Sequence, residues 1–245
     1  MKYKRYNFQH KETITTVFAE DPELFIVAAD AMMEAREEIE NYIKNDPYLL
    51  STLTPYHCEG KLIGEMSRAS LLAGVGPMAS VAGCIAGYAV DRMVERGASF
   101  AVVDNGGDIA MSIDEPIIVG VYTGHESSMA FRIEPKSGIR AVCTSSGRIG
   151  HSFSFGDADA ATVFGEDPCT ADAFATALGN EIGDFGKEEI KKTLRNFWEG
   201  NKDHVIACTV VRDDVIGLAG KVPEMVAADM DMDLISKGNP FIMRR

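Results

Sequence analysis

Three polar clusters sit beside apolar runs, and each carries residue types that do chemistry together. The first is Asp104-Asn105-Gly106-Gly107-Asp108, directly after a β-like run. Two glycines let the backbone turn sharply and approach a ligand, their N–H groups suit an anion, and Asp104 and Asp108 suit a metal. Asn-Gly is equally a strong hairpin signal, so a plain turn accounts for the same residues. The second is Thr144-Ser145-Ser146-Gly147-Arg148, continuing through His151, Ser152, Ser154, Gly156, Asp157 and Asp159. Its hydroxyls and Arg148 suit a phosphate or carboxylate, and His151 titrates in the range of a general base. A solvated loop has the same composition. The third is Ala171-Asp172-Ala173-Phe174-Ala175-Thr176-Ala177, at a helix start. Asp172 and Thr176 are four residues apart and so share a helix face, which makes them a half-site for a hard cation such as Mg²⁺ or an ordinary helix cap.

These clusters need elements to position them. Tyr6-Asn7-Phe8-Gln9-His10 and Thr13-Ile14-Thr15-Thr16-Val17-Phe18 read as a hairpin. Asp21-Pro22-Glu23 starts a helix, carried by Leu24, Val27, Ala31, Ala35, Ile39 and Tyr42 and stopped before Asp46-Pro47. A second helix runs from Gly76-Pro77 to Gly97, with Ala79, Gly83 and Gly87 stacked on one face. That stripe implies tight packing on a sheet, or a surface against a cofactor. Strands are expected at 100–103, 117–122, 129–133, 139–143 and 161–164. Helices follow at 170–181 and 187–198, then strands at 205–211 and 215–218. The chain reads strands, helices, strands twice, which predicts an α+β fold with a duplicated unit, in one domain 1–245 with halves 1–125 and 126–245.

Composition removes several classes of function. The 245 residues carry a formal charge of −13, which repels nucleic acid and anionic lipid. No apolar run reaches the roughly 20 residues that span a bilayer. Met1-Lys2-Tyr3-Lys4-Arg5 is not followed by a signal-peptide core, so the cytoplasm is the expected location. Five cysteines at wide spacings, none in C-x-x-C, argue against a disulfide framework.

In order, Gly87-Tyr88-Ala89-Val90-Asp91, Asp104 to Ile109, Thr144 to Gly147 and Ala171 to Ala177 resemble the sequence elements of the ApbE flavin-handling superfamily, over residues 87–180. With Gly74-Val75-Gly76-Pro77-Met78-Ala79-Ser80-Val81-Ala82-Gly83, nearly the whole chain resembles the ApbE-related branch of archaea and anaerobic bacteria, protein family 0280. The resemblance implies duplicated T-fold-like units with antiparallel sheets and packed helices. It implies a small phosphorylated ligand, FAD or another nucleotide, with Mg²⁺, and a protein acceptor receiving FMN on a threonine. Asp172 and Thr176 become metal ligands. Asp104, Asn105, Gly106, Gly107, Thr144, Ser145, Ser146, Gly147 and Arg148 become the ligand pocket, with His151 and Asp108 as catalytic candidates. Three departures weaken flavin transfer. Asp104 replaces the family's asparagine, Ala86 replaces its lysine, and a shorter Gly150-to-Asp159 stretch replaces its H-x-x-D-P-x-T-G segment. The alternative is a non-catalytic sulfur-assimilation or carrier protein using a pocket cysteine, with Cys143 first and Cys84 and Cys169 next.

Overall fold

A computed structural model describes residues 3–11, 13–122, 129–147 and 156–227. The chain opens with the expected hairpin, β1 (Lys4–His10) and β2 (Thr13–Ala19). Helix α1 (Pro22–Asn45) follows, its first turn capped by Asp21, whose carboxylate accepts the Glu23 N–H at 2.8 Å. A short α2 (Tyr48–Ser51) and α3 (Leu62–Ala73) lead through a 3₁₀ turn (Pro77–Ser80) into α4 (Val81–Glu95). Strands β3 (Ala101–Asn105) and β4 (Asp108–Ser112) complete a first ββ-helices-ββ unit. After β5 (Ile117–Val121) and β6 (Met129–Ile133) the pattern repeats as β7 (Ala141–Ser145), β8 (Ala160–Gly165), α5 (Pro168–Glu181), α6 (Lys187–Asn201), β9 (Ala207–Arg212) and β10 (Val215–Gly220), before a short β11 (Glu224–Val226).

The two units join edge to edge. One eight-stranded sheet runs β1-β2-β3-β4-β7-β8-β9-β10, antiparallel throughout, and a three-stranded sheet runs β11-β6-β5. The seam is the β4–β7 pairing, which sets Asp108 opposite Cys143 and Ala110 opposite Ala141. Apolar clusters lie on both faces of the large sheet: helices cover one face, and the small sheet covers the other, with Phe131 of β6 edge-on to Phe164 of β8 at 5.0 Å. Strands covered on both faces have no polar side to show, so β8 and β9 are buried along their whole length. The expected division at 125/126 falls outside the described residues.

Helix α3 was not legible in the sequence, and its start explains why. Lys61 makes no side-chain cap. Instead the Glu38 carboxylate of α1 accepts the Leu62 and Ile63 N–H groups at 2.8 and 3.2 Å, a cap delivered from another helix. The second expected helix is a 3₁₀ turn followed by α4. Its glycine stripe packs tightly, but on a helix rather than a sheet: a Cβ on Gly83 would stand 2.4 Å from the Pro168 carbonyl oxygen of α5. No single helix among the described residues is long and apolar enough to cross a membrane; α3 and the 77–95 segment pass together only as a pair bent by 102°. Their apolar faces lie in the core.

Removing the Glu38 cap is expected to cost about 1 kcal/mol, a fall of roughly 2–4 °C in Tm. Thermal unfolding of Glu38→Ala checks this, with exposed Glu37→Ala as the control. Equal Tm values would remove Glu38 from the account of α3.

Candidate functional site

Asp172 is on α5, yet it does not cap α5. That helix is capped by Asp167, which accepts the Thr170 N–H at 2.7 Å ahead of Pro168. Asp172 lies one turn further in, 7% exposed, and faces the start of α4. Its Oδ2 accepts the Gly83 N–H at 2.8 Å, and the Ala82 N–H also donates to it. Ser80, at the N-cap position of α4, makes no side-chain cap, so Asp172 satisfies the N–H groups that the first turn leaves open. The absence of a side chain on Gly83 is what allows this, since a Cβ there would lie 2.6 Å from the Asp172 Cβ.

The seam brings a second carboxyl to the first. Asp108 receives the Thr144 N–H and the Cys143 thiol. It also meets Asp172, so two acids share one enclosed space. Burial, then repulsion from Asp172 and Asp104, holds the Asp108 carboxyl well above the usual carboxylate range. Burial pushes Asp172 up to about 7, opposed by the Gly83 N–H, by a hydrogen bond from Asp108 and by the Ala82 N–H. Both carboxyls are thus held toward their protonated forms, so the pair keeps a proton that two isolated carboxylates would release. Asp108 Oδ1 is buried with no hydrogen-bond partner.

The remaining predicted residues divide. Thr176 shares the Asp172 face of α5, with its hydroxyl 3.5 Å from the Ala79 carbonyl. Asn105 donates to the Ala82 carbonyl at 3.1 Å, tying the β3–β4 hairpin to the same start of α4. Gly106 and Gly107 form a two-residue loop with φ of +72° and +105°, so the hairpin reading of the sequence holds. The Gly107 N–H is taken by Asp104 Oδ1 at 2.9 Å and the Gly147 N–H by the Ala158 carbonyl at 3.1 Å, so neither glycine offers that N–H to an anion. Thr144 turns its hydroxyl to Thr162 at 2.9 Å. Ser145, adjacent on β7, has a buried hydroxyl without a partner, and Ser146 follows the strand. Arg148 and His151 lie outside the described residues. Sequence reasoning missed Ala82 and Gly83 as contributors; the glycine stripe signalled Gly83, and the Gly74-to-Gly83 segment of the resemblance contained both. It also missed the pairing of Cys84 with Cys169, whose Cα atoms lie 4.2 Å apart in a disulfide between α4 and α5.

The donors fit a small hard cation. Asp108 Oδ1 is an orphaned buried acceptor beside the Asp172 carboxyl, and oxygen donors of this kind suit Mg²⁺ or Mn²⁺. The described residues contain no group of three or more His, Cys, Asp and Glu placed to hold a metal. A cavity of about 570 Å³ lies along α1 beside His10, and one of about 130 Å³ lies between α3, α4 and α5; neither is lined by Asp108 or Asp172.

Comparison with known proteins follows this geometry. A family model described as AbpE bacteria matches residues 1–230. The chain belongs to that family. Among its relatives is the UPF0280 protein of Archaeoglobus fulgidus, 49% identical over 236 residues that cover 96% of this chain and 100% of that protein. The UPF0280 protein of Methanothrix thermoacetophila is 43% identical, covering 96% and 99%. The solved flavin transferase ApbE from Vibrio cholerae superposes with a TM-score of 0.59 at 12% identity, covering 89% of this chain and 96% of that one. The ApbE protein from Thermotoga maritima gives 0.52 at 14% identity, covering 96% and 100%. At these identities the solved structures establish the fold, and the α+β ApbE-like architecture expected from sequence is the one found.

The carboxyl pair makes a pH prediction for the metal-free AbpE-family chain. Unfolded Asp172 ionises near 3.8, whereas the folded carboxyl keeps its proton to about 7, so the folded state binds more protons between those values. The stability it contributes is complete below about 4 and is lost as pH rises through about 7. Urea unfolding at pH 5 and pH 8 should show this loss, and Asp172→Asn, which keeps an acceptor for Gly83, should flatten it. An equally steep profile in the variant would contradict the assignment.

Proposed function

We propose that this protein binds a divalent cation at Asp108 and Asp172 and, together with it, a phosphorylated ligand of the flavin-nucleotide class, as a group-transfer protein. The observation that carries the proposal is the buried, unpartnered Asp108 Oδ1 beside a second buried carboxyl. Such an atom is costly to leave unsatisfied, and a cation removes the cost by taking the place of the shared proton. Family membership and the fold shared with solved flavin transferases support the ligand class.

Each residue then has a defined task. Gly83 and Ala82 fix one side of Asp172, so its free lone pairs have one direction to serve. Asp108 releases its proton and turns from donor to ligand. Thr176, one turn along the same face, adds a hydroxyl oxygen. A bound divalent cation supplies neutralisation of phosphate charge. Ser145, Ser146 and the Asn105–Asp108 hairpin border the ligand, with Arg148 and His151 assigned to phosphate contact and proton transfer by their place in the sequence.

The cysteine reading gains no comparable support from Cys143. Its thiol is fully buried and pushed well up by burial and by Asp108 and Asp172, and the thiolate is the reactive form.

Calorimetry with Mn²⁺ at pH 8 tests the proposal. Asp108→Asn and Asp172→Asn are expected to weaken binding at least tenfold, about 1.4 kcal/mol, and FAD binding should require the cation. Unchanged Mn²⁺ affinity in both variants would overturn the site. Covalent transfer of FMN to a threonine peptide is expected to be poor, because the stretch after Gly147 departs from the family segment.

A further inference from the structure

Cys84 and Cys169 join the first turns of α4 and α5 beside the Asp172 contact, yet nothing in the cation site uses them. Cys84 adjoins Gly83, whose N–H holds Asp172, and Cys169 precedes Asp172 by three positions. Both cysteines line the cavity of about 130 Å³ between the helices, together with Lys61, Glu65, Tyr88 and Asp167. Each is only 2–3% exposed, so the two cysteines lie at the buried floor of that cavity and not on the surface. Cys58, Cys143 and Cys208 are buried free thiols and line neither cavity.

We propose that Cys84 and Cys169 are a redox-active pair, converted between disulfide and dithiol by a small thiol that enters this cavity, and that the disulfide clamps α4 and α5 around Asp172. The size of the cavity selects the partner. A cavity of this volume admits a thiol of a few heavy atoms, whereas a protein dithiol would have to bring its sulfur to a buried floor. Charge does not bar entry. At the rim Asp167 is matched by Arg68 at 3.5 Å, Asp91 by Arg140 at 2.7 Å and Glu95 by Arg92 at 2.8 Å.

The exchange balances without another reagent. The thiolate of the entering molecule attacks one cysteine sulfur, the protein S–S bond breaks, and the other cysteine leaves as a thiolate and takes a proton. A second thiol attacks the mixed disulfide, frees the first cysteine and departs as the small-molecule disulfide. The protein gains two electrons and two protons; the small-molecule disulfide reverses the sequence. Placement in first helical turns favours cysteine as a leaving thiolate. With the bond broken, the 4.2 Å Cα approach is no longer enforced, and the Gly83–Asp172 hydrogen bond loses its nearest covalent support. A resulting change in cation affinity rests on the function proposed above; the redox chemistry itself does not.

The test uses the intact, folded protein equilibrated anaerobically in dithiothreitol buffers of varied oxidised fraction, then trapped with N-ethylmaleimide and mapped by mass spectrometry. Two adducts, on Cys84 and Cys169, should appear and disappear reversibly without denaturant, while Cys58, Cys143 and Cys208 label only after unfolding. Hydrogen exchange at Ala82 and Gly83 should speed up at least severalfold on reduction. Cys84→Ser/Cys169→Ser should show the fast exchange in both buffers. Resistance of the disulfide until the protein unfolds, or free Cys84 and Cys169 thiols in oxidising buffer, would overturn the redox site. Equal exchange in the two states would overturn the clamp. Loss of Mn²⁺ binding in both redox states, with reversible trapping intact, would count against the cation site alone.

Discussion

The structure depends on one buried carboxylate reaching from one helix to the start of another. Asp172 takes the Gly83 and Ala82 N–H groups of α4, which has no cap of its own. The same start of α4 receives Asn105 from the β3–β4 hairpin through the Ala82 carbonyl. A single point thus ties the second unit's first helix to the first unit's last helix and to the edge of its sheet. The β4–β7 seam adds Asp108 from the other side. The candidate site lies where the two repeats meet, at the β4–β7 seam beside the starts of α4 and α5.

That arrangement sets two electrostatic demands against each other. The α4 N-terminus favours an ionised Asp172, while burial beside Asp108 opposes a second charge. The metal-free protein resolves the conflict with a shared proton, which leaves Asp108 Oδ1 without a partner. In the proposed function, a divalent cation would resolve it with both acids ionised. The cost of the buried pair is therefore a stability deficit at neutral pH, which the proposed cation would recover.

Much of the fold was legible because its signals are local. Asp21-Pro22 announced α1, alternating β-branched runs announced β1 and β2, and the doubled strand–helix–strand order announced the repeat. Asp167-Pro168 carries the same capping signal as Asp21-Pro22 and would have started α5 two residues earlier than expected. What was not legible is what acts at a distance. The cap of α3 comes from Glu38, 24 positions before Leu62. Gly83 and Asp172 are 89 positions apart, and Cys84 and Cys169 are 85 apart. No local pattern tells a helix-capping Asp from one that caps a neighbour. The wide cysteine spacing read as free thiols for the same reason. Asp104-Asn105-Gly106-Gly107-Asp108 was a hairpin, as its turn residues indicate, yet its last residue also enters the site because of a seam the hairpin does not encode.

The central claim is that Asp108 and Asp172 exchange a shared proton for a cation. Anomalous scattering from crystals soaked in Mn²⁺ at pH 8 tests it most directly. The account predicts one peak between the two carboxyls, at roughly 2.0–2.3 Å from an oxygen of each, with the Gly83 N–H still on Asp172. Saturating Mn²⁺ that leaves no peak there, with the two carboxyls still in mutual contact, would contradict it.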